Sequence, residues 1–297
     1  MESETMKVAL ATCVKLPEPD VDEALLVGAL EARGVKVRLL AWDDPSQIPD
    51  AGELVIIRST WNYFQNVGGF LEWVERTAHA THLLNPAAIV TTNARKTYLR
   101  DLERSGIAVV PTEYVMKGET CSVQDVMRER GWEKVVIKPV VSAASFRTER
   151  FDSHHAADAQ RFLDGLTAER DAMIQCWMPS VETYGERSLV WVDGALTHAI
   201  RKSPRFVGSS EVVSDEVPIA PDERAFAEKI LEPIAKDLLY ARIDVVRDET
   251  APAGENTGIL RLMELELIEP SLFLRRCPDA LDRLADAIVH RARHGVA

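Results

Sequence analysis

The residues most able to do chemistry sit near the C-terminus. Residues 261–274 read RLMELELIEPSLFL and place Glu264, Glu266 and Glu269 in an otherwise apolar run. A strand alternates its faces with period two. Glu264 and Glu266 therefore share a face, about 7 Å apart along the strand. Two carboxylates on one apolar face repel each other and resist burial. A bound hard divalent cation would remove both penalties. Upstream, residues 239–246 read LYARIDVV, with Arg242 and Asp244 again on one face. The polar stretch between them carries Gly and Pro and reads as a loop. The expected arrangement is an antiparallel pair presenting Arg242, Asp244, Glu264 and Glu266 together. The competing reading for either strand is an edge with one solvated face.

Two lysines could hold an anion. Asn93 is placed to cap a helix running to Ser105 and closed by Gly106, with Lys96 in its first turn. Lys96 is either a solvated lysine or, with the helix N-terminus, part of a phosphate site. The segment KVVIKP runs an apolar strand into Lys138, and VVSAAS (140–145) follows. A lysine at the mouth of a strand before a loop of small residues suits a phosphate. A surface lysine is the plain alternative.

The remaining pattern must position these groups. Residues 8–12, 35–42 and 54–57 read as strands, with a helix over 21–33 after the first. Asp20 caps that helix, Leu25, Leu26, Ala29 and Leu30 form its apolar stripe, and Gly34 ends it. This order indicates an α/β layer with a parallel sheet. Ligands bind beyond the carboxyl ends of such strands, where Arg58, Ser59 and Thr60 fall. Further on come strands at 109–112, 134–139 and 172–178 and helices at 122–130 and 156–166. Asp193-Gly194 marks a tight hairpin. A helix over 225–238 should be kinked by Pro233, and a last helix covers 279–294. His198 is expected in the core; His154 and His155 are expected in solvent.

Composition removes several function classes. The 297 residues are 46% hydrophobic and 28% charged, with net charge −12. Such acidity argues against nucleic-acid binding. There is no apolar run long enough to span a membrane, and the start, MESETMKVAL, lacks the features of a signal peptide. The four cysteines form no CxxC pair and read as free thiols, as in a cytoplasmic protein. Neither GxGxxG nor GxxxxGK[ST] occurs, so a dinucleotide fingerprint and a P-loop are both missing. Oligomerisation is left open.

Taken in order, Lys96, KVVIKP, IQCWM, GERSLVWVDG, HAIRK, YARIDVV and MELELIEPS resemble the ATP-grasp ligase superfamily. RSTWNY (58–63), NARKTYL (93–99) and the MELELIEPSLFL ending are, within it, most similar to the D-cycloserine synthetases, cyclo-ligases of O-ureido-D-serine. The resemblance implies an α/β chain, α+β in its C-terminal part. An N-terminal parallel-sheet domain (1–92) would precede two ATP-grasp subdomains (93–171 and 172–297) holding ATP between antiparallel sheets. It implies ATP phosphates at Lys96 and Lys138, adenine at Gln175, Cys176, Trp177 and Met178, and ribose at Glu186. Arg201 would lie near the transferred phosphate or the substrate. Arg242 would stabilise oxyanion charge. Asp244, Glu264 and Glu266 would bind magnesium, as two ions, with manganese the alternative metal. Two departures stand out: VVSAAS replaces a glycine-rich loop, and Glu266 replaces the usual Asn of the metal pair. Glu269 has no counterpart and either serves the substrate or caps the turn at Pro270.

The activity implied is activation of a small amino-acid carboxylate as an acyl phosphate, attacked by a nitrogen of the same molecule, releasing ADP and phosphate. Residues 140–145 and 203–214 are the segments expected to close over it. The alternatives are an intermolecular carboxylate–amine ligase, a nucleotide-binding module without turnover, and a plain structural α/β protein.

Overall fold

The computed structural model describes residues 6–143, 145–203, 212–248 and 258–294. The chain begins with β1 (Lys7–Thr12), α1 (Glu23–Glu31), β2 (Lys36–Ala41), β3 (Leu54–Ser59), α2 (Val67–Ala80) and β4 (His82–Leu84). These strands form one parallel sheet in the order β2-β1-β3-β4. All six side chains of β3 are buried, as expected of a strand covered on both faces. The start of α1 is later than its sequence suggests. The Asp20 carboxylate accepts from the Asp22 N–H at 2.9 Å, outside the helix. Leu26 and Leu30 are buried, whereas Leu25 is 38% exposed and leaves the expected stripe. Gly34 does adopt positive φ, +78°.

There follow α3 (Ala87–Asn93), α4 (Tyr98–Arg104), β5 (Thr112–Val115), α5 (Val123–Arg130), β6 (Lys134–Pro139), β7 (Glu149–Asp152), α6 (Ala156–Thr167) and β8 (Ala172–Cys176). One helix was expected over 93–105; two short ones occur, and Asn93 ends the first instead of capping the second. Its amide is used elsewhere. Asn93 Nδ2 donates to the Leu265 carbonyl at 2.9 Å, and its Oδ1 accepts from the Leu267 N–H at 3.0 Å. Strands β5, β8, β6 and β7 form an antiparallel sheet in that order. β8 pairs with β5 and β6, so this sheet runs past the boundary expected at 171/172. The strand expected at 109–112 begins at Thr112.

The last part contains β9 (Glu186–Val192), β10 (Ala195–Lys202), β11 (Val213–Val217), α7 (Pro221–Leu231), β12 (Tyr240–Asp248), β13 (Ile259–Glu266) and α8 (Pro278–His294). The five strands form an antiparallel sheet ordered β11-β10-β9-β12-β13. Asp193 and Gly194 both take positive φ, as a type I′ hairpin requires. Pro233 does not kink α7. The helix has already ended at Leu231, because proline carries no N–H and its ring obstructs the preceding turn.

The outer edge of β13 is covered rather than solvated. The Val110 N–H donates to the Leu262 carbonyl at 2.9 Å, and the Leu262 N–H donates to Ala108 at 2.8 Å. The Leu265 N–H donates to the Tyr98 hydroxyl at 2.9 Å. Asn85, leaving the parallel sheet, donates to the carbonyls of Tyr240 and Leu267 and accepts from the Leu239 N–H. These bonds fix β12 and β13 against the first layer. Helix α8 adds Leu284, Ala285 and Ile288 to a core shared with Leu26, Leu30, Val190 and Tyr240.

Candidate active site

Arg242 faces Glu266 and Asp244 faces Glu264 across the β12–β13 ladder. The period-two reading of these strands therefore holds, and all four side chains line one cavity of about 250 Å³ between the sheets. Arg242 Nη2 lies 2.5 Å from Glu266 Oε1 and 2.9 Å from Asp244 Oδ2. Asp244 is 1% exposed and also accepts from Ser188 Oγ at 2.7 Å and Lys202 Nζ at 2.8 Å. Burial raises its pKa, but Arg242 and Lys202 outweigh burial and hold the carboxyl well below the usual range.

Lys96 lies in the turn before α4. Its Nζ is 2.7 Å from Glu264 Oε1 and donates to the Ser142 carbonyl at 3.0 Å. The lysine thus ties the β13 carboxylate to the small-residue loop. Burial lowers the Lys96 pKa, yet Glu264 more than compensates and it ends above its ordinary value. Glu264 is held low in turn: burial opposes this, but Lys96 and Lys138 prevail. Lys138, at the end of β6, is 8% exposed and its pKa is lowered by burial. Among the described residues it makes no ion pair.

Arg201 is not brought to the site. It is exposed and donates to the Thr183 carbonyl on the opposite face of β10. Strand alternation instead turns its neighbour inward. Lys202 is 6% exposed, lines the cavity and pairs with both Glu186 and Asp244. The sequence offered adjacent cations at 201 and 202; a register shift in β10 between Leu196 and His198 decided the faces. Gln175, Cys176, Trp177, Met178 and Glu186 all line the cavity. The Gln175 amide itself is turned to Thr112 Oγ1, at 3.2 Å.

Arg58, Ser59 and Thr60 are buried but do not line the cavity. Arg58 Nη2 donates to the Pro270 carbonyl at 3.2 Å, and Ser59 Oγ donates to Thr12 Oγ1 at 3.0 Å. The first layer instead supplies Trp61 and Tyr63, from the same RSTWNY segment, together with Glu18. Trp61 Nε1 donates to the Glu269 carbonyl at 2.9 Å. The Glu269 side chain lines the cavity; burial and then Glu266 push its pKa up to about 8. Burial, offset by Arg242 and reinforced by Glu264, raises Glu266 to about 7. His198 is buried, with Nε2 3.0 Å from the Leu272 carbonyl, and takes no part. Of the expected closing segments, Ala144 and residues 204–211 lie outside the described residues.

Six carboxylates and four cations line this cavity: Glu18, Glu186, Asp244, Glu264, Glu266 and Glu269 against Lys96, Lys138, Lys202 and Arg242. An acidic surplus cannot receive a polyphosphate unaided, because like charges in a low dielectric repel strongly. The carboxylates do not converge on one point among the described residues. The donor set nevertheless consists of hard oxygens, which suits magnesium. Glu264 and Glu266 keep 22% and 26% of their side chains open. Asp244 is saturated by its own cations.

The family model for the N-terminal domain of D-cycloserine synthetase DcsG matches residues 8–85. The cycloserine biosynthesis protein DcsG of Streptomyces lavendulae is 29% identical over 96% of this chain and 99% of its own length. The crystal structure of D-cycloserine synthetase DcsG superposes with TM-score 0.85, at 29% identity, over 96% of this chain and 99% of that one. This chain is similar to D-cycloserine synthetase over nearly its whole length and has the ATP-grasp fold. The ATP-grasp ligase PsnB, in complex with a minimal precursor, Mg and ADP, has the same fold: TM-score 0.63 at 17% identity, over 98% of this chain and 99% of that one. No described helix is long and apolar enough to cross a membrane.

Proposed function

We propose that the protein is an ATP-dependent ligase that closes a ring on O-ureido-D-serine to give D-cycloserine, releasing ADP and phosphate. The observation that carries this reading is the full-length similarity to the Streptomyces lavendulae protein, over 96% of this chain, together with a cavity that gathers lysines and carboxylates from two antiparallel sheets and the loops beside them. Adenine would lie along Gln175–Met178 and ribose near Glu186. Lys96, Lys138 and Lys202 would meet the phosphates.

A substrate carboxylate oxygen attacks the γ-phosphorus, the bond to the β-bridging oxygen breaks, and ADP leaves. The three lysines neutralise the charge that develops. The ureido nitrogen next to oxygen then attacks the acyl carbon, and Arg242 faces the oxyanion. Phosphate departs as the five-membered ring closes and takes up the N–H proton, and one water then hydrolyses the carbamoyl group from the ring nitrogen as carbon dioxide and ammonia. Because nucleophile and electrophile belong to one molecule, proximity replaces a second bound substrate. Glu264 and Glu266 would hold magnesium, as two ions with manganese the alternative, with Asp244 joining them only once the phosphates draw Lys202 away from it, and the metal would supply charge neutralisation at the phosphates. Ser142, Ala143 and Thr148, with Trp61 and Tyr63 of the first layer, would exclude water from the acyl phosphate.

The test is ADP release over a panel of small amino acids, including O-ureido-D-serine, with and without an added amine. Release with O-ureido-D-serine alone is expected. Release only with a second amine would move the reading to an intermolecular ligase, and nucleotide binding without turnover on the panel would move it to a binding module.

A further inference from the structure

Each acid that β9, β12 and β13 present to the cavity already has a cation. Glu186 pairs with Lys202, Asp244 with Lys202 and Arg242, Glu264 with Lys96, and Glu266 with Arg242. The carboxylate of Glu269 stands apart. Among the described residues it makes no ion pair and accepts a hydrogen bond only from its own backbone N–H, although it lines the same cavity. A carboxylate withdrawn from water without a partner is costly. Its backbone is held in place by the bond from Trp61 to its carbonyl and by Arg58 on the next carbonyl, that of Pro270. The position is therefore fixed, and the side chain is directed into the space that Trp61 and Tyr63 bound.

Lys138 is the complementary case. It lines the cavity from β6 and makes no ion pair among the described residues. It belongs to the sheet that also carries Gln175 and Cys176, while Glu269 lies beside the first layer. The cavity thus has a lysine without an ion pair on the side of Gln175 and a carboxyl without a cation on the other. Its occupants must bring negative charge to Lys138 and positive charge to Glu269. ATP supplies only the first.

We infer that Glu269, walled by Trp61 and Tyr63, is the receptor for a protonated primary amine on the substrate. This rests on the ligase reading above and deepens it. The acid selects a molecule whose ammonium group lies close to the carboxylate being phosphorylated, which is the chemistry of an α-amino acid. The ion pair also keeps that amine protonated, so it cannot compete as the nucleophile. Glu269 touches substrate away from the reacting bond and governs affinity and choice of ligand.

The test is calorimetric titration of the wild type and Glu269→Gln, each loaded with a non-hydrolysable ATP analogue and magnesium. The ligands are O-ureido-D-serine and the same molecule with hydrogen in place of the amine. The wild type should prefer the amine-bearing ligand by about tenfold or more, as a buried charge-assisted contact warrants. Glu269→Gln should lose that preference and bind the nucleotide analogue and magnesium as before. A preference that survives in Glu269→Gln, or none in the wild type, overturns the assignment. So does a raised magnesium requirement in the variant, which would make Glu269 a metal ligand. ADP release separates the two claims. Amine-selective binding without turnover would defeat the ligase reading and leave Glu269 as the amine receptor; turnover without selectivity would do the reverse.

Discussion

Lys96 and Glu264 are 168 positions apart in the chain and 2.7 Å apart in space. The contact ties the turn before α4 to β13 and offers one ammonium to both a β13 carboxylate and the carbonyl of Ser142. It also gives a clear mutational expectation. Lys96→Met should abolish ADP release and leave Glu264 half-buried without its cation. Removing one member of a buried pair costs several kcal/mol, and the partial exposure here reduces that to about 1–3 kcal/mol. Thermal unfolding measures the loss. Lys96→Met/Glu264→Gln should recover part of the stability and none of the activity.

Lys202 and Arg201 provide a within-strand control. Lys202→Met should lower kcat at least about a hundredfold, because it removes the cation paired with Asp244 and Glu186 and proposed to meet the phosphates. Arg201→Met should change kcat less than about threefold, since that side chain is exposed and bonded to a carbonyl outside the cavity. Steady-state ADP release compares them. Equal losses would mean that the facing of β10 is misassigned.

Stability should fall with rising pH in the absence of ligand. Glu266 and Glu269 have folded-state values of about 7 and about 8, both above the ordinary 4.5. The folded state then binds more protons than the unfolded state between those values, so folding weakens as pH rises through the window from about 4.5 to about 8. Asp244 and Glu264 act oppositely, and their contribution is lost as pH falls below the ordinary carboxylate range. The unfolding temperature should therefore decline from about pH 5 to about pH 8. Glu269→Gln should flatten that decline, raising Tm at the alkaline end and leaving it nearly unchanged at the acidic end.

The ring contact between Phe64 and Phe146, with centroids 4.6 Å apart, joins the first layer to the loop that carries Ser142 and Thr148. Phe64→Ala should cost about 0.5–1.5 kcal/mol. It should also raise the fraction of ADP formed without ring closure, because water reaches the acyl phosphate more easily. The ratio of product to ADP measures this.

Parts of this arrangement were legible in the residues alone. Alternation placed Arg242, Asp244, Glu264 and Glu266 on one face, because period two needs nothing beyond the strand itself. Asp193-Gly194 announced its hairpin for the same local reason. Legibility failed where long-range bonds overrode local preference. Asn93 has the type of a helix cap, but its amide pairs with the edge of β13. The facing of Arg201 and Lys202 depends on a shift in register between β10 and β9. Arg58, Ser59 and Thr60 stand at a strand end, yet packing buries them and turns Trp61 and Tyr63, a few residues on, toward the cavity. The sheet containing β8 could be drawn only from its partners, β5 and β6.

The most direct measurement follows the oxygen. O-ureido-D-serine labelled with oxygen-18 in its carboxylate should be turned over with ATP and magnesium and the phosphate analysed by mass. Phosphorylation of the carboxylate followed by ring closure predicts one labelled oxygen in each released phosphate, with ADP as the nucleotide product. Unlabelled phosphate, or AMP and pyrophosphate in place of ADP, would contradict an acyl phosphate formed in this cavity.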